Sequence, residues 1–168
     1  MNRPDTPLTG IHHISAITAD AQANVDFYTQ ALGMRLIKKS VNQDDVSVYH
    51  LFYTDAEGAP GTDLTFFDIP HAAKNQPGSG EITEIAFRVP TEASLHFWAE
   101  RLDTIGVDRD APRERFGRQV LEFRDPEGQR LALMVDGDDA PVPAGTPWPH
   151  AGIPEEHAII GLAAISTS

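Results

Sequence analysis

The chain has 168 residues, of which 40% are hydrophobic and 23% charged, so it fits one domain, or one domain with a tail, that can bury most of its apolar surface. Its formal net charge is −12 and its longest basic cluster is Lys38–Lys39, which argues against nucleic acid or an anionic membrane as partner. There is no cysteine, so disulfides and thiolate-held metals are excluded and any metal must use nitrogen and oxygen ligands.

Residues 1–9 read as a flexible N-terminus without an apolar signal region, and the longest apolar run, residues 158–165, is too short to span a bilayer. A soluble, cytoplasmic protein is expected. Residues 11–18, IHHISAIT, read as a strand rich in β-branched side chains. Asp20 can cap a helix over residues 21–32, with Val25, Tyr28 and Leu32 on one face and Gly33 at its end. Strand-like runs follow at 35–42, 46–54 and 63–69, the last two joined by the turn DAEGAPGT.

The order then repeats. Residues 81–89 read as a strand, and Thr91 can cap a helix whose Leu95, Trp98, Leu102 and Ile105 recur at helical spacing. Strand-like runs return at 113–116, 119–124 and 130–135, the last two joined by DPEG. Ile11 and Ile82 lie 71 residues apart, Gly61 and Gly128 67 apart. The predicted fold class is α+β: two tandem βαβββ modules, 10–70 and 80–136, forming one domain over 10–136. Residues 137–156, acidic and rich in Pro and Gly, have the composition of a linker. They lead to a strand at 157–168, where GLAAIS repeats GIHHIS of residues 10–15 after an interval of 151 residues. That offset is close to two modules, as for the start of a third module; six residues alone fit a chance recurrence equally well.

GIHHIS, the helix containing DFYTQALGMRL, the run YHLFYTDAEGAPGTDLTFFDIP and the DPEG turn together resemble the vicinal-oxygen-chelate superfamily, with its glyoxalase, bleomycin-resistance and dioxygenase members. Within it the chain is most similar to ring-cleaving dioxygenases of hydroquinone-type substrates, over residues 8–168. The resemblance implies paired modules that curl their sheets around a metal-containing cup. It also implies a four-module enzyme of which this chain is the N-terminal half.

Side chains alternate along a strand, so His12 and His13 are expected on opposite faces, unable to ligate one metal together. On residues alone each fits a hydrogen-bonded core histidine. The resemblance implies that His13 is a metal ligand and His12 a supporting catalytic residue. Glu84 occupies the place of His13 in the second module, as an oxygen ligand or as a carboxylate with a salt-bridge partner. Thr65 and Ala132 stand where superfamily members carry a last-strand Glu. The remaining His and Glu ligands are then expected from a fourth module. His50, with Val48 and Phe52 on its face, suits proton transfer from a phenol or a structural role. Phe66, Phe67 and Tyr49 fit an aromatic pocket or the core. No role attaches to His71, His96, His150 or His157.

The function implied is an Fe(II)-dependent, extradiol-type ring-cleaving dioxygenase, with Mn(II) as the other candidate metal. Its partners would be a hydroquinone- or catechol-like aromatic and O2, with the chain alone inactive. The alternatives are a metal-free small-molecule binding or resistance module and a glyoxalase-like lyase completed by a second chain. Modules built to pair expose apolar sheet, so a homo-oligomer is expected through the exposed sheet or the C-terminal strand.

Overall fold

A computed structural model describes residues 10–73, 78–137, 140, 142–149 and 152–168. The expected flexible segment 1–9, part of the 137–156 linker and His150 lie outside the described residues.

Strand β1, His13–Thr18, alternates as a one-sided strand should: Ile14 and Thr18 are buried, whereas His13, Ser15 and Ile17 are exposed. The Asp20 side chain accepts the backbone N–H groups of Gln22 and Ala23 and so starts α1, Ala21–Asp26. The helix then widens into a π turn over Phe27–Ala31, and Phe27 and Tyr28 are both carried into the core. Three strands complete the first module: β2 (Arg35–Val41), β3 (Tyr49–Thr54) and β4 (Asp63–Asp68). Strand β3 starts three residues later than the apolar run suggests. Asp45 accepts the backbone N–H and the hydroxyl of Ser47 at 2.9 and 2.6 Å, which holds that segment in a turn.

The second module repeats the plan with β5 (Ile82–Val89), α2 (Glu92–Thr104), β6 (Arg113–Arg115), β7 (Arg118–Arg124) and β8 (Arg130–Val135). Thr91 caps α2 through the Ser94 N–H, and Leu95, Trp98 and Leu102 form its buried stripe. The last strand is β9, Gly161–Thr167. Sheet order is β1-β4-β3-β2 in the first module and β6-β7-β8-β5-β9 in the second. In both modules the first strand runs parallel to the last, and the other pairs within the module are antiparallel. Two βαβββ modules are therefore present.

They share one core. Ile14, Tyr28, Tyr53 and Phe66 of the first module join Phe87, Trp98 and Leu131 of the second in a single buried cluster. Polar ties cross the same boundary. Glu127, in the DPEG turn, accepts the Ala19 N–H at 2.8 Å and the Thr18 hydroxyl, and Tyr28 donates to Asp125 at 3.1 Å. Arg101 on α2 donates to the carbonyls of Ala31 and Gln30 at the end of the first helical segment.

The described part of the stretch with linker composition is held in place. Arg88 grips Asp136 at 2.7 Å and also donates to the carbonyls of Val142 and Pro143. Asp55 accepts the Thr146 N–H at 2.8 Å. His157 anchors the approach to β9: its carbonyl accepts the Trp98 indole N–H at 2.7 Å, and its ring stacks on Phe97. Strand β9 then pairs with β5 inside the chain. The C-terminal strand, expected to serve self-association, thus already has one edge engaged within the chain.

The glycines of the repeated hexapeptide have a steric reason. A Cβ at Gly161 would lie 3.0 Å from the Gly61 carbonyl oxygen, and its φ is 144°. Gly161→Ala is expected to destabilise the fold by about 1–3 kcal/mol through overpacking, read as a lowered midpoint in urea unfolding; an unchanged midpoint would show that the β9 junction tolerates the methyl group.

Candidate functional site

Alternation along β1, β4 and β3 sends Ile14, Leu64, Phe66, Leu51 and Tyr53 into the core. The same alternation turns His13, Ser15, Ile17, Asp63, Thr65, Phe67, His50 and Phe52 to the other face of the sheet. The strand register sets these residues in rows. His13 lies opposite Asp63, and Ser15 opposite Thr65, with Phe52 and Lys38 beyond. Ile17 lies opposite Phe67, which is followed by His50 and Ser40.

His12 departs from the expected geometry. The strand begins at His13, and the His12 carbonyl accepts the Gly61 N–H at 2.8 Å before regular pairing starts. The two rings are therefore not held on opposite faces: their Nδ1 atoms lie 3.2 Å apart and the rings meet edge to face at 5.3 Å. Both side chains are exposed.

Asp63 faces them with one carboxylate oxygen buried and unpartnered. Burial pushes its carboxyl pKa above the ordinary value, against the pull of His13 and His12. His50 stacks on Phe67 and meets Phe52 at a tilt, each ring centroid 4.0 Å away, and its Nε2 is buried without a partner. Burial first, then the Lys38 ammonium and His13, lower its pKa below 6.5, so the imidazole is neutral at pH 7. Of the three aromatic residues considered for a pocket, Phe67 faces this side, Phe66 is core, and Tyr49 shares the opposite parity beneath Lys39, whose Nζ lies 4.1 Å from its ring centroid. Thr65 donates to the Ser15 hydroxyl at 2.9 Å. Asp63 and Lys38 escaped the sequence reading; parity from Thr65 on the same strand would have placed Asp63 on this face, whereas Lys38 depends on the register and bulge of β2.

The equivalent face of the second sheet is closed. Glu84, opposite Arg130 as His13 is opposite Asp63, is gripped at both oxygens by Arg115, at 2.6 and 3.1 Å. Arg115 also holds Glu122 at 2.8 Å, and Arg113 takes the same carboxylate from the rim. Ala132 packs with Ala86, Val120 and Met134 in a small apolar cluster. Burial would raise the Glu84 pKa, but hydrogen bonding and charge from Arg115 prevail and hold it below 4.5.

Among the described residues no three His, Asp or Glu side chains come together to cage a metal ion. His13 fits as one donor, with the Asp63 carboxylate across the strand pair. That is part of a nitrogen and oxygen ligand set and not a whole one. A shallow cleft lies elsewhere, between Leu32, Thr62, Trp148 and Ile159, and includes neither His12, His13, His50 nor Asp63.

A family model described as the Glyoxalase/Bleomycin resistance protein/Dioxygenase superfamily matches residues 10–133. The chain is 48% identical over 155 residues to MhqA of Bacillus subtilis (strain 168), named as a ring-cleaving dioxygenase; the match covers 92% of this chain and 48% of that protein. It is 34% identical over 156 residues to the chlorohydroquinone/hydroquinone 1,2-dioxygenase of Sphingobium indicum, covering 91% and 47% respectively. A crystal structure described as a dioxygenase of Bacillus subtilis superposes with a TM-score of 0.83 at 36% identity, over 94% of this chain and 49% of that one. The chain thus spans about half the length of the curated relatives it matches.

The electrostatics set two measurable outcomes. Because the folded Glu84 pKa is depressed, its contribution to stability is full above pH 4.5 and is lost as pH falls through the folded value. Glu84→Gln should therefore cost about 3 kcal/mol at neutral pH, the lower end for breaking a buried ion pair because Arg115 keeps Glu122. The gap should narrow in acid, which urea unfolding at several pH values would read. His50 should titrate below 6.5 by NMR, and Lys38→Met should move it only part of the way back, because burial is the larger cause.

Proposed function

Since the chain belongs to the Glyoxalase/Bleomycin resistance protein/Dioxygenase superfamily, we propose that it forms part of a ring-cleaving dioxygenase that takes a hydroquinone- or catechol-type aromatic and O2. The observation that carries this reading is the difference between the two sheet faces. One presents an exposed His13 beside an unpartnered carboxylate and an unpartnered imidazole; the other is sealed by Arg115 and an alanine-rich cluster.

His13 is the residue that would hold a divalent metal, Fe(II) foremost and Mn(II) as the second choice, with further ligands from protein outside these residues. Fe(II) bound there would supply adjacent coordination positions for a phenolic oxygen and O2. Glu84, with both oxygens on Arg115, takes no part. The Nδ1 of His12, 3.2 Å from the Nδ1 of His13, is placed to accept a proton carried there, which would leave the His13 Nε2 lone pair for the metal. His50, held neutral by burial and Lys38, accepts the phenolic proton at Nε2. Phe67 stacks on that imidazole and, with Phe52, shields it from water.

No helix among the described residues is long and apolar enough to cross a membrane; a cytoplasmic location is part of this proposal. The competing reading, a metal-free binding module, draws on Thr65 and Ala132, which put no carboxylate at either last-strand position.

Anaerobic hydroquinone binding with and without Fe(II), followed by O2 uptake, separates the two. Fe(II) is expected to tighten binding at least ~10-fold, about 1.4 kcal/mol, with the gain lost in His13→Ala and turnover by the chain alone low. Equal affinity with and without iron, unchanged by His13→Ala, would contradict the dioxygenase reading and favour the metal-free module.

A further inference from the structure

Two cations of the first sheet share the parity of its open face: Arg35, opposite Thr54, and Lys38, opposite Phe52. Arg35 is engaged. Its guanidinium lies 4.8 Å from the centroid of the Trp148 ring and donates to the Ala56 carbonyl. Lys38 is not. The side chain is exposed, and its ammonium stands 5.5 Å from the Phe52 ring centroid. Among the described residues no carboxylate comes within ion-pair distance of it. The chain has 25 Asp and Glu against 13 Lys and Arg, so acidic partners are plentiful and this ammonium still faces none. Lys39, the next residue, has the other parity and packs over Tyr49.

The neighbours of Lys38 are aromatic. Phe52 lies directly opposite on β3, and His50, two residues before Phe52, is the diagonal neighbour across the same strand pair, within reach of a long side chain. Phe67 stacks on His50 from β4. The Lys38 ammonium is the second cause, after burial, of the lowered His50 pKa, so its charge is felt at the imidazole. Asp63, the acid of this face, stands opposite His13 on β4, two strands from β2, and leaves that charge uncompensated.

A flat ligand resting on Phe52 and Phe67 therefore meets two unpartnered groups, the His50 Nε2 and the Lys38 ammonium. A phenolic O–H satisfies the imidazole, which accepts it. A neutral ring has nothing to offer the ammonium. An anionic substituent supplies a charge-assisted hydrogen bond, stronger than one between neutral groups.

We propose that Lys38 is a specificity residue: it selects aromatic ligands that carry an anionic substituent, a carboxylate foremost, in addition to the phenolic hydroxyl that meets His50. The proposal rests on the open face being the aromatic-binding face of the dioxygenase described above, and it is read without iron or O2. Lys38 touches the substituent and not the reacting oxygen, so it governs which ring binds.

The test is anaerobic, metal-free titration of the 168-residue chain with 2,5-dihydroxybenzoate and 3,4-dihydroxybenzoate, each against its uncharged amide. At least one acid should bind at least ~10-fold tighter than its amide. That preference should fall to about 2-fold or less in Lys38→Met and persist in Lys38→Arg and in Lys39→Met, whose charge lies on the other parity. In the native chain the preferred acid should raise the His50 titration midpoint in NMR, because its carboxylate offsets the Lys38 charge, and the amide should leave it lower. Neither acid exceeding its amide overturns the proposal. So does a preference that survives Lys38→Met, or one that Lys39→Met removes equally, which would make it a general effect of the basic strand. Should Lys38→Met not fold, the His50 midpoint decides. An acid preference without any effect of iron on hydroquinone binding leaves the role of Lys38 standing and removes the dioxygenase; iron-dependent hydroquinone binding without an acid preference does the reverse.

Discussion

Parallel pairing of β1 with β4, and of β5 with β8, fixes which side chains meet the core and which turn away. With a side-chain period of two, the register that sends Ile14 and Phe66 inward sends His13, Asp63 and Phe67 outward. The same register in the second module sends Glu84 and Ala132 to the equivalent face. A slip by one residue in either sheet would bury histidine or expose phenylalanine. The common core of both modules, tied by Glu127 to the start of α1 and by Arg101 to the end of the π turn, holds both registers at once. The outward faces are free to diverge because the inward faces do the folding.

They have diverged in opposite directions. The second face pairs its charges internally: Glu84, Glu122, Arg113 and Arg115 neutralise one another, and Ser166 of β9 adds a hydrogen bond to Glu84 at 3.3 Å, while the Arg115 Nε stays buried without a partner. The first face leaves polar atoms unsatisfied at Asp63 and His50, a cost that a sheet built only for packing would avoid. Unpaired donors and acceptors beside aromatic rings are what a site for a phenolic ligand requires, since the ligand supplies the missing partners.

Much of this was legible in the sequence. The two modules, the caps at Asp20 and Thr91, and the shared face of His13, Ser15 and Ile17 come from period and capping chemistry, which are local. The resemblance carried by GIHHIS and the YHLFYTD…GTDLTFF run named the family. What escaped were features set by distant partners. The proximity of His12 to His13 depends on Gly61, which draws the chain out of the pleat just before β1. A salt-bridge partner for Glu84 was among the expectations, but its identity was not: Arg115 lies 31 residues away, on a strand of only three residues. The firm hold on residues 142–146 depends on Arg88 and Asp55, and a Pro- and Gly-rich composition does not reveal such anchors.

The central claim is that metal chemistry belongs to the open face of the first sheet and to none of the second. Equilibrium dialysis of Fe(II) under anaerobic conditions, for the native chain, His13→Ala and Glu84→Gln, tests it most directly. With only part of the ligand set in this chain, the claim predicts weak iron binding that is equal in the native chain and Glu84→Gln and is lost from His13→Ala. Iron retained by His13→Ala but lost from Glu84→Gln would contradict it and move the metal to the second sheet.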